Sequence, residues 1–372
     1  MKWNWQQPDW PNFSFHSLQI DALEKRLLFN AGLSFGAFKH VGEDDKRQLT
    51  VELISNEALK TSEIEGEYLN RDSLQSSICR QFGIPTADQR KIPPAEQGIA
   101  EVMVDLYRSF DSALSHDRLF AWHTMLTKGR TDLRDSGRYR TDAEPMQIVS
   151  GPVYAPKIHF EAPPAADVPD EMDRFIAWFN NSAPNGNRPL AALTRAGVAH
   201  LYFESIHPFE DGNGRIGRAI VEKALAQSLG QPTLIAIAYT IERGKNAYYA
   251  ALEQANRSND ITEWLVYFSE TLLAAQDFTQ KWIEFLIQKS RMFGRFGSKL
   301  NPRQEKVLLR MFREGPEGFS GGLSAEKYHG VTGAPKATVT RDLQDLVVKG
   351  ALLRSGERKH TRYYLNFESR VK

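Results

Sequence analysis

Apolar residues recur at three- and four-residue intervals over most of the chain, which is the spacing of helices with a buried face. This spacing predicts helices over residues 17–39, 44–60, 95–114, 117–127, 189–206, 214–229, 241–252 and 261–293. In the first helix we expect one apolar stripe, made of Leu18, Ile20, Leu23, Leu27 and Leu28. The helix over residues 189–206 is mostly apolar, and we expect it to be buried and to lead into His207.

A β-hairpin is predicted in the middle of the chain. Residues 146–150 and 154–160 are both β-prone, and Gly151 and Pro152 lie between them. The alternatives are a plain surface hairpin and a flap beside a functional site. The expected fold is therefore mainly α, with a helical core that carries one hairpin.

The pattern changes after Asn301 and Pro302. Helices are predicted over residues 303–313, 323–329 and 335–349, with a turn at residues 330–333, and strands over residues 352–354 and 362–365. Val339, Leu343, Leu346 and Val347 form the expected buried stripe of the third helix. This order resembles a winged helix-turn-helix domain.

Charge is distributed unevenly between this C-terminal segment and the rest of the chain. Residues 301–372 contain 14 Lys and Arg against 8 Asp and Glu, a net charge of +6, and residues 1–300 contain 33 against 38, a net charge of −5. The expected exposed start of the third helix carries Lys336, Thr338, Thr340 and Arg341. DNA binding through residues 335–362 and protein–protein contact both remain open, because +6 is modest for a DNA-binding module.

The overall composition is that of a cytoplasmic protein. The net charge is only +1, so the whole chain has no strong attraction to nucleic acid or to a membrane surface. Cys79 is the single cysteine and cannot form an internal disulfide. The start of the sequence is polar and rich in Trp, unlike a secretory signal, and no apolar run reaches the roughly 20 residues of a membrane helix.

The window HPFEDGNGRIGR, residues 207–218, contains the candidate chemistry. His207, with an unperturbed pKa of about 6.5, can accept a proton at physiological pH. Asp211 is a hard oxygen ligand suited to Mg²⁺, which takes further ligands from phosphates and water. Gly212, Asn213 and Gly214 can adopt positive φ, so that their N–H groups converge on an anion.

Two arginines complete the window. Arg215 and Arg218 are three residues apart on the predicted helix over residues 214–229, where they can clamp phosphate oxygens. Taken singly, the histidine is more often structural, DGNG is more often a turn, and paired arginines are more often a solvated face. Their order within twelve residues favours a site for a nucleoside triphosphate.

The window resembles the Fic family signature HxFx(D/E)GNGRxxR, and every fixed position is matched, including Phe209. The resemblance implies an all-helical core that transfers AMP from ATP to a Ser, Thr or Tyr hydroxyl of a target protein, with self-modification left open. It implies that His207 is the base, that Phe209 anchors the loop, and that Asp211 holds Mg²⁺ at the α- and β-phosphates.

The resemblance also assigns the remaining residues of the window. Gly212, Asn213 and Gly214 would line an anion hole. Arg215 would contact phosphate, and Arg218 would pair with the γ-phosphate. The Doc-like phosphotransferase branch has an altered loop and lacks the last arginine, so adenylylation is favoured over kinase chemistry.

Two further features acquire a role from the same resemblance. The hairpin at residues 146–160 would be a flap that aligns the target segment by backbone pairing. Tyr248 and Tyr249 are candidates for the adenine pocket, because aromatic faces suit a base. Adjacent residues on a helix point about 100° apart, so core packing is the default for at least one of the two.

Residues 61–66, Thr-Ser-Glu-Ile-Glu-Gly, resemble the Fic inhibitory motif (S/T)xxxE(G/N). The resemblance implies that Glu65 binds Arg218 in place of the γ-phosphate, and it permits a role for Glu65 in removing AMP. The alternative is a charged helix end that stops at Gly66.

These observations give four predicted segments and two classes of function. The segments are an N-terminal helical region with the inhibitory helix (1–93), the Fic core (94–259), a connecting helix (260–300) and a winged helix-turn-helix domain (301–372). The favoured function is an autoinhibited protein adenylyltransferase using ATP and Mg²⁺, with homodimer formation left open. The alternative is a DNA-binding regulator that uses the core as a nucleotide sensor.

Overall fold

The fold is mainly helical, as the sequence predicts. The computed structural model describes residues 2–39, 41–86, 91–152, 156–316, 318–319 and 321–367, and it is 63% helix and 6% strand. Within the described residues the α-helices are α1 (Asp21–Lys39), α2 (Glu43–Ile64), α3 (Arg71–Gln81), α4 (Pro94–Arg108), α5 (His116–Leu126), α6 (Val168–Asn181), α7 (Ala192–Ile206), α8 (Asn213–Leu229), α9 (Ile237–Arg243), α10 (Lys245–Ala255), α11 (Thr262–Phe296), α12 (Pro302–Arg313), α13 (Ala325–Thr332) and α14 (Lys336–Val348). None of these helices is long and apolar enough to cross a membrane.

Two antiparallel hairpins supply the strands found in the described residues. The first pairs β1 (Gln147–Ser150) with β2 (Lys157–Glu161), and the second pairs β3 (Leu352–Ser355) with β4 (Arg362–Leu365). Both hairpins were expected from the sequence, although β2 begins after the predicted position. Tyr154, the first residue of the predicted second strand, lies outside the described residues.

The chain divides into two compact units. One contains Met1–His40 and Thr50–Thr279, and the other contains Val41–Leu49 and Gln280–Lys372. The larger part of the second unit begins at Gln280, inside the segment predicted as a connecting helix over residues 260–300. The division into four segments stays a prediction.

Helix α7 is the centre of the first unit. All of its residues, from Ala192 to Ile206, are buried. Most side chains of this helix are apolar, which favours a buried position because burial removes apolar surface from water. Helix α8 packs against α7 and is also largely buried. The turn between these two helices is therefore held by the core.

The apolar stripe predicted for the first helix is partly wrong. Ile20 and Leu27 are buried, but Leu18 and Leu28 are 85% and 56% exposed. Leu18 lies in a 3-10 turn, Ser17–Gln19, before α1 begins, so it does not share the face of the helix. Leu28 follows buried Leu27 and points about 100° away from it.

Helix boundaries differ from the sequence prediction at two places near the candidate site. The predicted helix over residues 241–252 is two helices, because α9 ends at Arg243, Gly244 interrupts the run, and α10 begins at Lys245. Glycine is a weak helix former, which explains the break. Helix α2 runs one turn beyond the predicted residue 60 and ends at Ile64.

In the second unit, the part after residue 300 has three helices followed by a hairpin, in the predicted order. Asn301 begins α12 with a capping box, since its side chain accepts from the Gln304 N–H at 3.0 Å and the Gln304 side chain accepts from the Asn301 N–H at 3.0 Å. The turn predicted at residues 330–333 is wrong in extent, because α13 continues to Thr332 and ends at Gly333. Helix α14 buries three residues of the predicted stripe and leaves Val347 half-buried.

Candidate functional site

The candidate motif lies in the turn between α7 and α8. His207 ends α7 in a left-handed conformation, with φ of 49° and ψ of 60°. A left-handed histidine is uncommon and costs conformational energy, so the surrounding structure must hold it. Arg140 does so, since its Nε donates to the His207 carbonyl at 2.9 Å.

Phe209 anchors the turn in the core. Its ring is fully buried and stacks on His123, with the ring centroids 4.2 Å apart. Asn213 closes the turn by two hydrogen bonds with the Phe209 backbone: Oδ1 accepts from the N–H at 2.9 Å, and Nδ2 donates to the carbonyl at 2.8 Å. The Asn213 side chain is therefore turned inward, and an anion could meet only the backbone of this residue.

The backbone conformation of residues 212–214 differs from the expectation. Gly212 has φ of 86°, but Asn213 and Gly214 already belong to the first turn of α8. The N–H groups in the first turn of a helix have no partner within it and carry the positive end of the helix dipole. With only Gly212 at a positive φ, an anion at this turn would meet mainly the N-terminus of α8.

His207 is neutral at physiological pH. Burial lowers its pKa to about 4, and the positive charge of Arg140 adds to this effect. Its Nδ1 lies 3.7 Å from the Glu204 Oε2. Burial raises the pKa of Glu204 to about 8, so this carboxyl is mostly protonated near neutral pH. The structure therefore provides an uncharged imidazole that is able to accept a proton.

Arg218 is nearly buried and is already paired. Its Nη2 donates to the Glu65 Oε1 at 2.7 Å and to the Thr61 carbonyl at 2.9 Å, and its Nε donates to the Thr61 hydroxyl at 2.7 Å. Helix α2, which ends just before Glu65, brings both partners to the motif. Glu65 and Arg218, which the resemblance to the inhibitory motif links, are therefore in direct contact.

Close approach of the Glu65 carboxylate depends on Gly214. A Cβ at position 214 would lie 2.3 Å from the Glu65 Oε1. This distance is too short for any side chain, so the glycine leaves the room that the carboxylate occupies beside Arg218.

Arg215 and Asp211 also have partners within the chain. Arg215 Nη1 donates to the Glu67 Oε2 at 2.8 Å. Asp211 Oδ2 accepts from Arg130 Nη1 at 2.8 Å, and its Oδ1 accepts from the Gly212 N–H at 2.6 Å. Asp211, Arg215 and Arg218 thus each face an opposite charge supplied from another segment.

Asp211 can hold a magnesium ion. Burial raises its pKa, but the charge of Arg215 and the hydrogen bond from Arg130 outweigh burial, so the pKa lies below its ordinary value and the group is ionised. In the described part of the chain, no group of three or more His, Cys, Asp and Glu side chains could hold a metal ion. A single carboxylate fits Mg²⁺, which takes its other ligands from water and phosphates.

The two tyrosines proposed for the adenine pocket have different surroundings. Tyr248 is buried, and its hydroxyl lies 2.6 Å from His200 Nε2, as expected for a core residue. Tyr249 is 42% exposed, and Lys245 Nζ lies 5.8 Å from its ring centroid. Lys245 also donates to the Ile64 carbonyl at the end of α2. Of the two, Tyr249 has the ring face that a base could reach.

The β1–β2 hairpin is attached to α10. His159 on β2 lies 2.7 Å from the Glu253 Oε2 and 2.6 Å from the Ser150 hydroxyl. Ile148, Val149 and Ile158 of the hairpin are exposed. The flap role of this hairpin stays a prediction.

Sequence reasoning missed several groups that hold the site, including Arg140 described above. His123 on α5 fixes the motif backbone, since its Nε2 donates to the Asp211 carbonyl at 3.1 Å and its Nδ1 accepts from the Gly137 N–H at 2.9 Å. Arg130 and Glu67 neutralise Asp211 and Arg215. No spacing links these residues to the motif, because they lie far from it along the chain.

Two segments of the chain match known families. Residues 113–225 match the Fic/DOC family, and residues 3–84 match a Domain of unknown function (DUF4172). The Fic/DOC match contains His123, Arg130 and the whole motif.

Curated relatives share part of the chain. The protein adenylyltransferase fic-1 of Caenorhabditis elegans is 26% identical over 300 residues, which cover 79% of this chain and 54% of that protein. The protein adenylyltransferase Fic of Drosophila yakuba is 28% identical over 155 residues, which cover 39% of this chain and 29% of that protein. The chain spans about half or less of the length of the curated relatives it matches.

Solved structures share the fold. A Fic family protein from Desulfovibrio desulfuricans G20 superposes with a TM-score of 0.54 at 20% identity, covering 97% of this chain and 99% of that one. A Fic domain containing signaling protein from Bacteroides thetaiotaomicron VPI-5482 superposes with a TM-score of 0.52 at 18% identity, covering 69% of this chain and 96% of that one.

Proposed function

We propose that this chain, which belongs to the Fic family, transfers AMP from ATP to a hydroxyl side chain of a target protein. One observation carries the proposal: a neutral imidazole and an ionised carboxylate lie on the turn between α7 and α8, and two arginines lie in the first turns of α8. The relatives named as protein adenylyltransferases support the same activity.

In this proposal His207 acts as the general base. The neutral imidazole takes the proton of the target hydroxyl while the hydroxyl oxygen bonds to the α-phosphorus of ATP. The bond from that phosphorus to the bridging oxygen of the β-phosphate breaks, and diphosphate leaves. Arg140 donates a hydrogen bond to the His207 carbonyl, and this contact helps to hold the imidazole in position for the proton transfer.

The phosphates would be held by the start of α8 and by two arginines. The first-turn N–H groups of α8 and the Arg215 guanidinium provide donors for phosphate oxygens. Arg218 would take the γ-phosphate. Mg²⁺, when bound at Asp211, supplies positive charge that offsets the phosphate oxygens.

Autoinhibition by Glu65 is part of the proposal. The carboxylate lies 2.7 Å from Arg218 Nη2, on an arginine that is 3% exposed. A guanidinium in this confined position cannot pair fully with both a carboxylate and a γ-phosphate. ATP would then bind with its phosphates misplaced for in-line attack, which is costly to the rate.

The proposed activity is tested by mass spectrometry of a cell lysate treated with ATP, Mg²⁺ and the Glu65→Gly chain. We expect an added AMP on Ser, Thr or Tyr side chains, of lysate proteins or of the chain itself. Addition of a different nucleotide-derived group, or of none, would contradict adenylyl transfer. Competition by the other nucleoside triphosphates reports whether ATP is the preferred donor.

A second candidate function, DNA binding, is supported by unpaired basic side chains. Lys336 and Arg341 on α14 and Arg354 and Arg358 in the β3–β4 hairpin are exposed. Within the described residues these four side chains have no hydrogen-bond or ion-pair partner. Basic residues on a recognition helix and a wing are the arrangement that contacts DNA phosphates.

We expect the full chain to shift random duplex DNA in a gel, with affinity that falls as salt rises. Changing both Lys336 and Arg341 to alanine should lower the slope of log affinity against log salt by about two, because each phosphate contact contributes about one unit. Lys306→Ala, an exposed lysine of α12, is the matched control. Absence of salt-dependent binding at low salt would rule out this function.

A further inference from the structure

We propose that Arg130 is an internal counter-ion that occupies Asp211 in the resting protein and must leave it for a divalent cation to bind. This inference rests on the proposed role of Asp211 as the metal ligand. It makes metal binding and the release of Arg130 a single event. Arg130 would thereby set the cation concentration at which the site fills.

Both carboxylate oxygens of Asp211 accept a hydrogen bond within the chain. Oδ2 accepts from Arg130 Nη1 at 2.8 Å, whereas Oδ1 accepts from the Gly212 N–H at 2.6 Å and lies 3.4 Å from Arg215 Nη2. The Gly212 bond lies within the motif turn and can persist beside a metal ion. The Arg130 bond opposes the metal, because a guanidinium 2.8 Å from Oδ2 would repel a divalent cation bound to the same carboxylate.

Asp132 holds Arg130 in place for this role. Its two carboxylate oxygens accept from Arg130 Nε at 2.7 Å and Nη2 at 2.6 Å. This bidentate pairing leaves Nη1 to face Asp211. Release from Asp211 therefore breaks one of three hydrogen bonds, and the guanidinium stays tethered nearby.

The loop that carries Arg130 is attached to the motif by further contacts. The Glu210 Oε2 accepts from the N–H groups of Arg134 and Asp135 at 2.9 Å and 3.0 Å. His123 bonds both the Gly137 N–H and the Asp211 carbonyl. A displaced Arg130 thus remains at high effective concentration beside Asp211, which makes it an efficient competitor.

We expect Arg130 to weaken divalent cation binding at Asp211 only modestly. The side chains of Arg130 and Asp211 are 38% and 39% exposed, so water screens their attraction. Ion pairs of this kind change equilibria by up to about fivefold. Removal of Arg130 should therefore tighten divalent cation binding by about that factor.

The test is Mn²⁺ binding to the full chain, followed by the electron paramagnetic resonance signal of free Mn²⁺. An ATP analogue with an unbreakable α,β bridge is kept at fixed concentration, so no turnover is needed. We expect Arg130→Ala to bind Mn²⁺ about fivefold more tightly than the wild type, and Arg130→Lys to lie between the two. Arg134→Ala removes the same charge from the same loop without contact to Asp211 and should leave Mn²⁺ affinity unchanged.

Asp211→Asn shows how much Mn²⁺ the chain binds without the proposed ligand. Comparison with this variant tells which of the two proposals a negative result contradicts. If Arg130→Ala binds Mn²⁺ no more tightly than the wild type while Asp211→Asn loses binding, the counter-ion role of Arg130 is overturned and the metal role of Asp211 stands. If Asp211→Asn binds Mn²⁺ like the wild type, Asp211 is not the metal ligand, and both the metal step of the proposed function and this inference are overturned.

Discussion

In the Glu65→Gly chain, AMP transfer is expected to rise about 100-fold over the wild type. The substitution removes the carboxylate that lies 2.7 Å from Arg218. Arg218 then becomes available to the γ-phosphate, and the α-phosphorus can align with the incoming hydroxyl. A misplacement of about 1 Å costs about 10²-fold in rate, which sets the expected size. Label transferred from α-labelled ATP to protein measures the effect.

Two variants separate loss of the Glu65 charge from loss of a side chain at this helix end. Glu65→Gln keeps the shape and a hydrogen-bonding oxygen without the charge, so its rate should lie between those of the wild type and Glu65→Gly. Glu63→Gln changes a neighbouring carboxylate that pairs with Lys60 instead, and it should behave like the wild type. Equal labelling by the wild type and Glu65→Gly would remove the inhibitory role of Glu65.

Placed in the Glu65→Gly background, His207→Ala should lower transfer by about 10²- to 10⁴-fold, which is the usual contribution of a positioned general base. His207 has a fixed position, since its backbone is left-handed and Arg140 holds its carbonyl. Its pKa of about 4 keeps the ring neutral at physiological pH, so the substitution removes a competent base. Single-turnover labelling at saturating ATP separates this loss from weaker nucleotide binding.

His16→Ala, which changes an exposed histidine of the N-terminal region, is the matched control and should retain full transfer. Nucleotide affinity should be nearly unchanged in the His207→Ala chain, because the phosphates are assigned to other residues. Undiminished labelling by the double variant would take the base role away from His207.

Local patterns predicted much of the fold. The apolar run that precedes His207 predicted a buried helix, and α7 is buried along its length. The mainly α fold and both hairpins followed from periodicity and turn residues. The predicted apolar stripe was wrong at Leu18, which lies in a short 3-10 turn before the helix. One predicted helix was wrong in its bounds, because Gly244 divides it into two helices.

The sequence also linked Glu65 with Arg218, two groups that the structure brings into contact. This link came from a motif resemblance, because the two residues lie 153 positions apart and no periodicity joins them. The inward turn of the Asn213 side chain was not predictable, since a residue letter does not state which way an amide points.

Two of the missed residues, Arg130 and Glu67, reach the motif through a long-range ion pair. Arg130 reaches Asp211 across 81 residues, and Glu67 reaches Arg215 across 148. Charged residues in loops are usually solvated, so nothing in the local sequence distinguishes these from ordinary surface charges. Their roles emerge only when the chain is folded.

The central claim is that Arg218 is shared between Glu65 and the γ-phosphate. The most direct test compares the affinities of ATP and ADP, which differ by that phosphate, by calorimetry on chains that carry His207→Ala to prevent turnover. With Glu65 present, we expect ATP and ADP to bind with similar affinity. With Glu65→Gly, ATP should bind about tenfold more tightly than ADP, the scale of a hydrogen-bonded charge pair. The same ratio of ATP to ADP affinity in both chains would contradict the claim.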